Sequence, residues 1–346
     1  MDAPEEFHYR LPGRISGQRP GSHRGSSVGA GQEFVTHLSL YDRPDPRRLD
    51  LRASLRTLRN DWSRGDVPGG DWLVRVNRQR AGTSVRAIVD VSASMCFGSR
   101  RPKLHIVADF FEALGMSAFR VGDAVGMMAF DVAERPELFM PPRVSRGMGA
   151  IMASALRDAC DARGPGGQRP LGDARGLPAQ AAPAEDFAGR TRFGAVRVRR
   201  DSRPQVALGT PHGNQHASDG LEGAAARLAG QQGLVFLVSD FHWPLERLGA
   251  VLALMAHAVV VPIVVWDAAE TEPPSRNSIA SLSDAETGAR RTLWLRPRLR
   301  EEWRLAVARR RAEIDSFFAA HALRPFYMEG AFDADALSRY FFEADT

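Results

Sequence analysis

The sequence has few cysteines and almost no lysine. Its 346 residues include only two cysteines, too few for the disulfide framework of a small secreted domain. Of the 46 basic side chains only Lys103 is a lysine, which is typical of a GC-rich coding bias. Because the net charge of +5 is spread along the chain, nucleic-acid binding is not predicted.

The chain also lacks an apolar segment of the kind that crosses or enters a membrane. Its acidic amino terminus, MDAPEEFHYR, has no apolar signal core. The apolar run Leu248–Trp266 is interrupted by His257 and Pro262, and it changes midway from helical to β-branched composition. This change predicts a buried helix followed by a buried strand. We therefore expect a cytoplasmic protein with no membrane span.

Strands and helices alternate beyond residue 80, which predicts an α/β fold. Apolar, β-branched runs predict strands at 85–91, 124–130, 233–238, 258–266 and 322–328. The loop 131–144 has room for a short edge strand, which would be the third of six in chain order. Between the strands, helical periodicity predicts helices at 103–119, 149–160, 218–228, 248–257 and 298–321, with a last helix at 334–342. The right-handed crossover rule favours a doubly wound, mostly parallel sheet with helices on both faces. In the order 3-2-1-4-5-6 the first and fourth strands are neighbours, and ligands bind at their carboxyl ends.

Composition divides the chain into an amino-terminal arm, residues 1–80, and an α/β domain, residues 81–346. The arm is rich in Gly, Arg and Pro, so we expect an irregular segment across the domain surface, with a helix at 51–62 and a strand at 72–76. Two insertions are predicted in the domain. Residues 161–217 have the composition of a disordered loop, and residues 270–296 include a β-hairpin around Thr287–Gly288.

Oxygen-bearing side chains follow two strands that this order makes neighbours. Asp90, Ser92 and Ser94 form a D-x-S-x-S loop after the first strand, and Asp240 ends the fourth. Ser218 opens the helix before that fourth strand. These are hard donors that suit Mg²⁺, or alternatively Mn²⁺ or Ca²⁺. The alternative is that Asp and Ser form only a turn at a strand end.

The motifs resemble the metal-ion-dependent adhesion site of von Willebrand factor A domains. Asp90, Ser92 and Ser94 match the first loop of that site, and Asp240 matches the aspartate of its third loop. Ser218 stands where the second loop of the family has a threonine, so the hydroxyl donor is kept while the residue type departs from the pattern. The resemblance implies a von Willebrand factor A type of fold.

A closer resemblance is to the DUF58 branch of that superfamily, which is associated with MoxR-type AAA+ ATPases. The matching segments are residues 21–25 with 31–34, residues 45–50, residues 239–241 and residues 284–288. Leu51 departs from the branch, which usually has tryptophan there. Within the branch, FHYRLPGR and RPGSHRG resemble the MxaS proteins of methanol-oxidation gene clusters.

The resemblance implies recognition and no bond breaking, so the protein is not expected to be an enzyme. In this family the two aspartates often act on the ion through water, and a carboxylate from a partner completes its shell. The implied partner is a MoxR-type AAA+ ATPase. The pair would mature an enzyme client by inserting a metal or cofactor, and a PQQ-dependent methanol dehydrogenase is the client that the MxaS resemblance implies.

The main alternative is a metal-dependent hydrolase or phosphatase that uses Asp90 and Asp240. Nucleotide hydrolysis is not predicted, because the sequence has no Walker loop or other glycine-rich phosphate loop. Residues 25–29 fit G-x-S-x-G, but they lack the strand and helix that flank a nucleophile elbow.

Several other residues have both a functional and a structural interpretation. His212 and His216 have the spacing of metal ligands on a helix, but they lie in the glycine-rich insertion. The basic run 190–203 suits an acidic partner or nucleic acid, and the structural alternative is a solvated linker. His23 is a candidate anion ligand or a local structural residue. The remaining candidates either line the predicted crevice or fill space within it: His242, Trp243 and Cys96.

Overall fold

The computed structural model describes residues 6–11, 20–29, 31, 33–64, 72–162, 217–273, 279–283, 290–294 and 296–343. The insertion predicted at 161–217 lies almost wholly outside these residues, together with His212, His216 and the basic run 190–203.

Within these residues the strands are β1 (Pro20–Gly29), β2 (Glu33–Ser39), β3 (Leu73–Ala81), β4 (Ser84–Asp90), β5 (Ala124–Phe130), β6 (Met140–Arg143), β7 (Gly233–Ser239), β8 (Ala258–Trp266), β9 (Ile279–Ser283), β10 (Arg290–Trp294) and β11 (Phe326–Glu329). The helices are α1 (Leu51–Arg64), α2 (Lys103–Val121), α3 (Met148–Asp161), α4 (Ala217–Ala226), α5 (Leu248–Leu254), α6 (Ala268–Thr271), α7 (Pro297–Ala320) and α8 (Ala334–Glu343). No described helix has the length and apolar character needed to cross a membrane.

A six-stranded sheet forms the centre of the α/β domain. Its order is β11-β8-β7-β4-β5-β6, and every neighbouring pair is parallel except β5 with β6. Counted along the chain from β4, this is the predicted order 3-2-1-4-5-6. β5 and β7 are buried at every residue, which explains why their sequences show apolar runs without alternation.

Helices cover both faces of the sheet, as the sequence predicted. One apolar core is built on side chains from α2, α3 and α8, and the other on side chains from α4, α5 and α7. Between α2 and α3 the backbones approach closely at Gly115 and Gly149. A Cβ atom built on Gly115 would lie 2.5 Å from the Cα atom of Gly149, so a larger residue would force the helices apart.

The amino-terminal region is more regular than the irregular arm that its composition predicted. β1, β3 and β2 form a separate antiparallel sheet in that order, and α1 follows β2. Propensity was misleading here because Gly and Arg are poor strand formers, and cross-strand pairing outweighed that preference. The glycine spacing of G-S-H-R-G has a steric reason, since a Cβ atom at Gly25 would lie 2.3 Å from the carbonyl oxygen of Gln79.

The amino-terminal region is anchored to the domain by the buried carboxylate of Asp123. Its Oδ2 atom lies 2.6 Å from the Tyr9 hydroxyl and 2.7 Å from Nε2 of His23, and its Oδ1 atom accepts the Thr83 backbone N–H at 2.7 Å. Burial and the adjacent carboxylate raise the pKa of Tyr9 well above its ordinary value. His23 therefore has a structural contact, which agrees with the local role weighed for it above.

The helix predicted at 51–62 and the predicted hairpin are both present, the helix as α1. Asp50, the last residue of the 45–50 segment, caps α1 by accepting the Ala53 N–H at 3.0 Å, and it pairs with His37 and Arg75. The predicted hairpin appears as the antiparallel pair β9 and β10. Its turn at Thr287–Gly288 lies outside the described residues.

We expect Asp123→Ala to detach the amino-terminal region. Three groups would lose a shared charged acceptor, so the free energy of unfolding should fall by about 3 kcal/mol. Urea unfolding measures this change, and trypsin should cleave at Arg24 faster. Asp158→Ala is the control, because Asp158 is exposed on α3 and its only described side-chain hydrogen bond is 3.5 Å long. Equal cleavage rates in the two variants would contradict the anchor.

Candidate functional site

The D-x-S-x-S loop and Asp240 meet at one crevice at the carboxyl edge of the sheet. Asp90 is the last residue of β4, and Asp240 directly follows the last residue of β7. The two strands are adjacent and parallel, so their carboxyl ends lie at the same edge. The crevice is the topological switch point at which ligands bind in open α/β sheets.

The Asp90 carboxylate is fully buried and accepts hydrogen bonds from four donors, one of which is the Ser92 hydroxyl. Oδ1 accepts the backbone N–H of Ser92 at 2.9 Å, and Oδ2 accepts the hydroxyl of Ser239 at 2.7 Å. The indole N–H of Trp243 lies 3.3 Å from Oδ2 and 3.1 Å from the Ser239 hydroxyl oxygen. Burial and the negative charge of Asp240 nevertheless raise the pKa of Asp90. The buried negative charge of Asp90 is therefore unfavourable, and an adjacent cation would stabilise it.

Two hydroxyl groups lie beside these carboxylates. A short 3-10 helix, Ala93–Cys96, follows Ser92 and brings the hydroxyl oxygens of Ser92 and Ser94 to 3.1 Å from each other. Ser94 also hydrogen-bonds the side chain of Asp240. Octahedral Mg²⁺ with ligands at about 2.1 Å places neighbouring ligand oxygens about 3 Å apart. The two hydroxyls therefore fit adjacent positions on such an ion.

A buried ion cluster holds the Asp240 carboxylate in place. Its Oδ2 atom accepts a hydrogen bond from the Lys103 ammonium at 2.8 Å, and the same ammonium donates to Glu270 at 2.7 Å. Burial alone would raise the pKa of Asp240, but the charges of Lys103 and His242 outweigh it and lower that pKa. Asp240 therefore remains ionised beside Asp90.

The backbone after Asp240 is strained and fixed by neighbours. Phe241 has a φ of 49°, a left-handed conformation that bulky residues rarely adopt. The guanidinium of Arg310 on α7 donates to the carbonyl oxygens of Phe241 and Trp243, and the indole N–H of Trp266 donates to the Asp240 carbonyl at 2.9 Å. Such over-determined strain is characteristic of functional sites and places the Asp240 carboxylate accurately.

The third predicted loop is only partly described. Helix α4 begins at Ala217, so Ser218 is its second residue and not the N-cap that the sequence suggested. The Ser218 side chain lies outside the described residues. The amino-terminal turn of α4 packs on the loop after β5, because a Cβ atom at Gly220 would lie 2.8 Å from the carbonyl oxygen of Asp131. The backbone of α4 thus starts at the same edge of the sheet as β5 ends.

A second group of metal-capable atoms lies beside the first. Asp240, His242 and Glu270 each offer a ligand atom, and these atoms lie within 4.8 Å of one another. The Lys103 ammonium already pairs with both carboxylates. An ion among these three residues would lie next to that ammonium, so the hydroxyl-lined side of the crevice is the better fit for a divalent cation.

Sequence reasoning missed Lys103 and Glu270. The signal for Lys103 was present, because it is the only lysine of the chain and follows the D-x-S-x-S loop at the start of α2. Glu270 had no signal, since it reaches the crevice through the short helix α6. The expectation that His242 and Trp243 border the crevice is met, because the His242 ring stacks on Trp266 and Trp243 contacts Asp90. Cys96 packs against the core.

The two aspartates should respond differently to neutralisation. Asp90→Asn removes a buried charge that Asp240 repels, but its amide NH2 group must replace one of two oxygen atoms that accept hydrogen bonds. These effects oppose each other, so we expect the free energy of unfolding to change by less than about 1 kcal/mol at pH 8 in EDTA. Asp240→Asn weakens the acceptor of a buried ammonium and should lower it by about 3 kcal/mol. Urea unfolding of the two variants measures both changes. Equal destabilisation by the two substitutions would contradict this electrostatic description.

Two solved structures are similar to this chain at low sequence identity and low TM-score. One is the conserved hypothetical protein BatB from Bacteroides thetaiotaomicron, at 12% identity and a TM-score of 0.35, covering 77% of this chain and 100% of BatB. Another is an aerotolerance-related membrane protein from Bacteroides fragilis, at 12% identity and a TM-score of 0.33, covering 76% of this chain and 98% of that protein. The expected cytoplasmic location is therefore corrected and withdrawn, because a matched protein is described as a membrane protein.

Sequence comparison is more informative. A curated relative from Paracoccus denitrificans, named an uncharacterized protein in the moxR 3' region, is 34% identical over 92 residues. That alignment covers 27% of this chain and 88% of the relative. Residues 54–313, three quarters of the chain, match the family described as protein of unknown function DUF58. The chain therefore belongs to the DUF58 family.

Proposed function

We propose that this chain is a non-catalytic, cation-dependent protein-interaction module that works with a MoxR-type AAA+ ATPase. The observation that carries the proposal is the convergence of Asp90, Ser92, Ser94 and Asp240 on one crevice, with the two hydroxyls 3.1 Å apart. The donor set is made of hard oxygen atoms and suits Mg²⁺, with Mn²⁺ or Ca²⁺ as alternatives.

Each side chain has a distinct role in this proposal. Ser92 and Ser94 hold the ion directly, while Asp90 and Asp240 provide the negative charge behind it. When bound, the ion supplies an electrophilic centre with positions left for water or an incoming carboxylate. Ser94 is partly exposed, so the crevice opens to solvent on the hydroxyl side.

The rim of the crevice favours a protein ligand. Phe97 follows the D-x-S-x-S loop and has 42% of its surface exposed, and Val132, in the loop after β5, is equally exposed. Exposed apolar residues at the rim of a polar crevice are typical of an interaction surface. A partner loop that presents a carboxylate beside apolar residues would match both features.

The identity of the partner is inferred from relatives. The Paracoccus relative is named for its place in the moxR 3' region, and this supports a MoxR-type ATPase as the partner. In our proposal the pair matures an enzyme client by inserting a metal or cofactor. The resemblance of residues 7–14 and 19–25 to MxaS proteins favours a PQQ-dependent methanol dehydrogenase as that client.

A metal-dependent hydrolase or phosphatase is the alternative, and the contacts of both aspartates argue against it. Asp90 accepts hydrogen bonds from Ser239 and Ser92, and Asp240 accepts them from Lys103. A carboxylate that is engaged in this way is a poor general base or nucleophile. The G-x-S-x-G match lies wholly inside strand β1, so it has no strand–turn–helix context. Turnover of a simple phosphate ester with Mn²⁺ would favour the enzyme.

Ser92→Ala provides the sharpest test. Its hydroxyl contacts the Ser94 hydroxyl and the Asp90 carboxylate. Asp90 keeps its other donors, the Ser92 backbone N–H, Ser239 and Trp243, so the variant should still fold. We expect the purified protein to bind a MoxR-type ATPase from the same genome in Mg²⁺ and to lose at least about tenfold in affinity in EDTA. Ser92→Ala in Mg²⁺ should show a similar loss, measured by biolayer interferometry.

Ser154→Ala is the matched control, because Ser154 is exposed on α3. It should bind the ATPase as the unmodified protein does. Binding that is unaffected by both EDTA and Ser92→Ala would refute the cation-dependent interaction.

A further inference from the structure

Lys103 is an unusual residue for its position. It is the only lysine among 46 basic residues, it is completely buried, and its ammonium contacts Asp240 at 2.8 Å and Glu270 at 2.7 Å. It is also the first residue of α2, where the helix dipole disfavours a positive charge. The helix dipole therefore does not stabilise the positive charge of Lys103, whereas the two carboxylates do.

A lysine suits this position for a geometric reason. The ammonium is a compact charge with three donors, whereas a guanidinium is a planar fork that binds carboxylates in pairs. Glu270 is fixed by the capping box of α6, where it accepts the Asp267 N–H at 3.1 Å. The carboxylate of Glu270 thus holds the Lys103 ammonium beside Asp240.

The contact with Lys103 limits which oxygen atoms of Asp240 are available to coordinate an ion. Its Oδ2 atom is engaged by Lys103, and its Oδ1 atom accepts the backbone N–H of His242 at 3.2 Å. An ion bound by Ser92 and Ser94 therefore meets a carboxylate whose charge an internal cation already balances.

We propose that Lys103 sets the cation affinity of the crevice by holding Asp240 away from direct coordination. This inference rests on the proposed function. The ion is then held weakly by the protein alone and keeps an unsatisfied preference for negative charge. A carboxylate from the partner supplies that charge, so ion and partner bind cooperatively.

The test must separate loss of Lys103 from loss of charge balance. Lys103→Met alone leaves two buried carboxylates without a counter-charge and is expected to unfold the protein. The double variant Lys103→Met with Glu270→Gln removes one charge of each sign, so the net charge of the crevice is unchanged. Glu270→Gln alone keeps the contact of Lys103 with Asp240 and serves as the matched control.

Mn²⁺ binding, followed by electron paramagnetic resonance with Mg²⁺ competition, provides the readout. We expect the double variant to bind Mn²⁺ at least about tenfold more tightly than the unmodified protein, because ligand charge governs affinity for hard cations. Glu270→Gln should bind no more tightly than the unmodified protein. If the unmodified protein binds Mn²⁺ and the double variant binds it equally or more weakly, the role of Lys103 is refuted. If none of the proteins binds Mn²⁺, the proposed function itself fails.

The single lysine also offers a direct spectroscopic measurement. Selective ¹³C labelling of lysine gives one side-chain Cε signal, since the chain has no other lysine. Addition of Mg²⁺ should shift this signal in the unmodified protein and leave it in place when Ser92 and Ser94 are both replaced by alanine. A signal that stays unmoved while Mn²⁺ binds would place the ion elsewhere and overturn the inference.

Discussion

Two buried carboxylates of like charge, at the ends of adjacent parallel strands, are the constraint on which the crevice depends. Burial and the repulsion from Asp240 together raise the pKa of Asp90. Four residues oppose this by donating hydrogen bonds to the two carboxylates: Ser92, Ser239, Trp243 and Lys103. A protein that needed only a stable fold would place apolar residues here, and this supports our proposal of a binding site.

The surrounding structure supports the crevice from both faces of the sheet. On one side α2 begins with Lys103, and on the other Arg310 of α7 fixes the loop that follows Asp240. The strained backbone at Phe241 is held between these supports. Because the supporting side chains belong to packed helices, the geometry around the two aspartates exists before any ligand arrives. Pre-organisation of this kind lowers the free-energy cost of binding.

The amino-terminal region is attached to the domain at the opposite end of the strands. Asp123 precedes β5, and its carboxylate is hydrogen-bonded to Tyr9, His23 and the Thr83 backbone N–H. The segment G-S-H-R-G therefore contacts the domain through this buried carboxylate, by way of His23. Residues 239–241 thus belong to the crevice, whereas residues 21–25 help to connect the small antiparallel sheet to the α/β domain.

The sequence by itself determined the class of the fold and placed Asp90 and Asp240 at strand ends, because apolar runs mark buried strands. Crossover handedness restricts the strand order to a few, and in the order 3-2-1-4-5-6, which the structure has, the two aspartates meet. The sequence also identified the hydroxyls of Ser92 and Ser94, which follow Asp90 in one short loop. Only the tertiary structure decided that residues 20–39 pair with β3, since pairing overrode propensity. It alone showed that Lys103 joins Asp240 to Glu270. These residues are separated by 137 and 167 positions from Lys103 in the chain, and no local pattern encodes a contact across such distances.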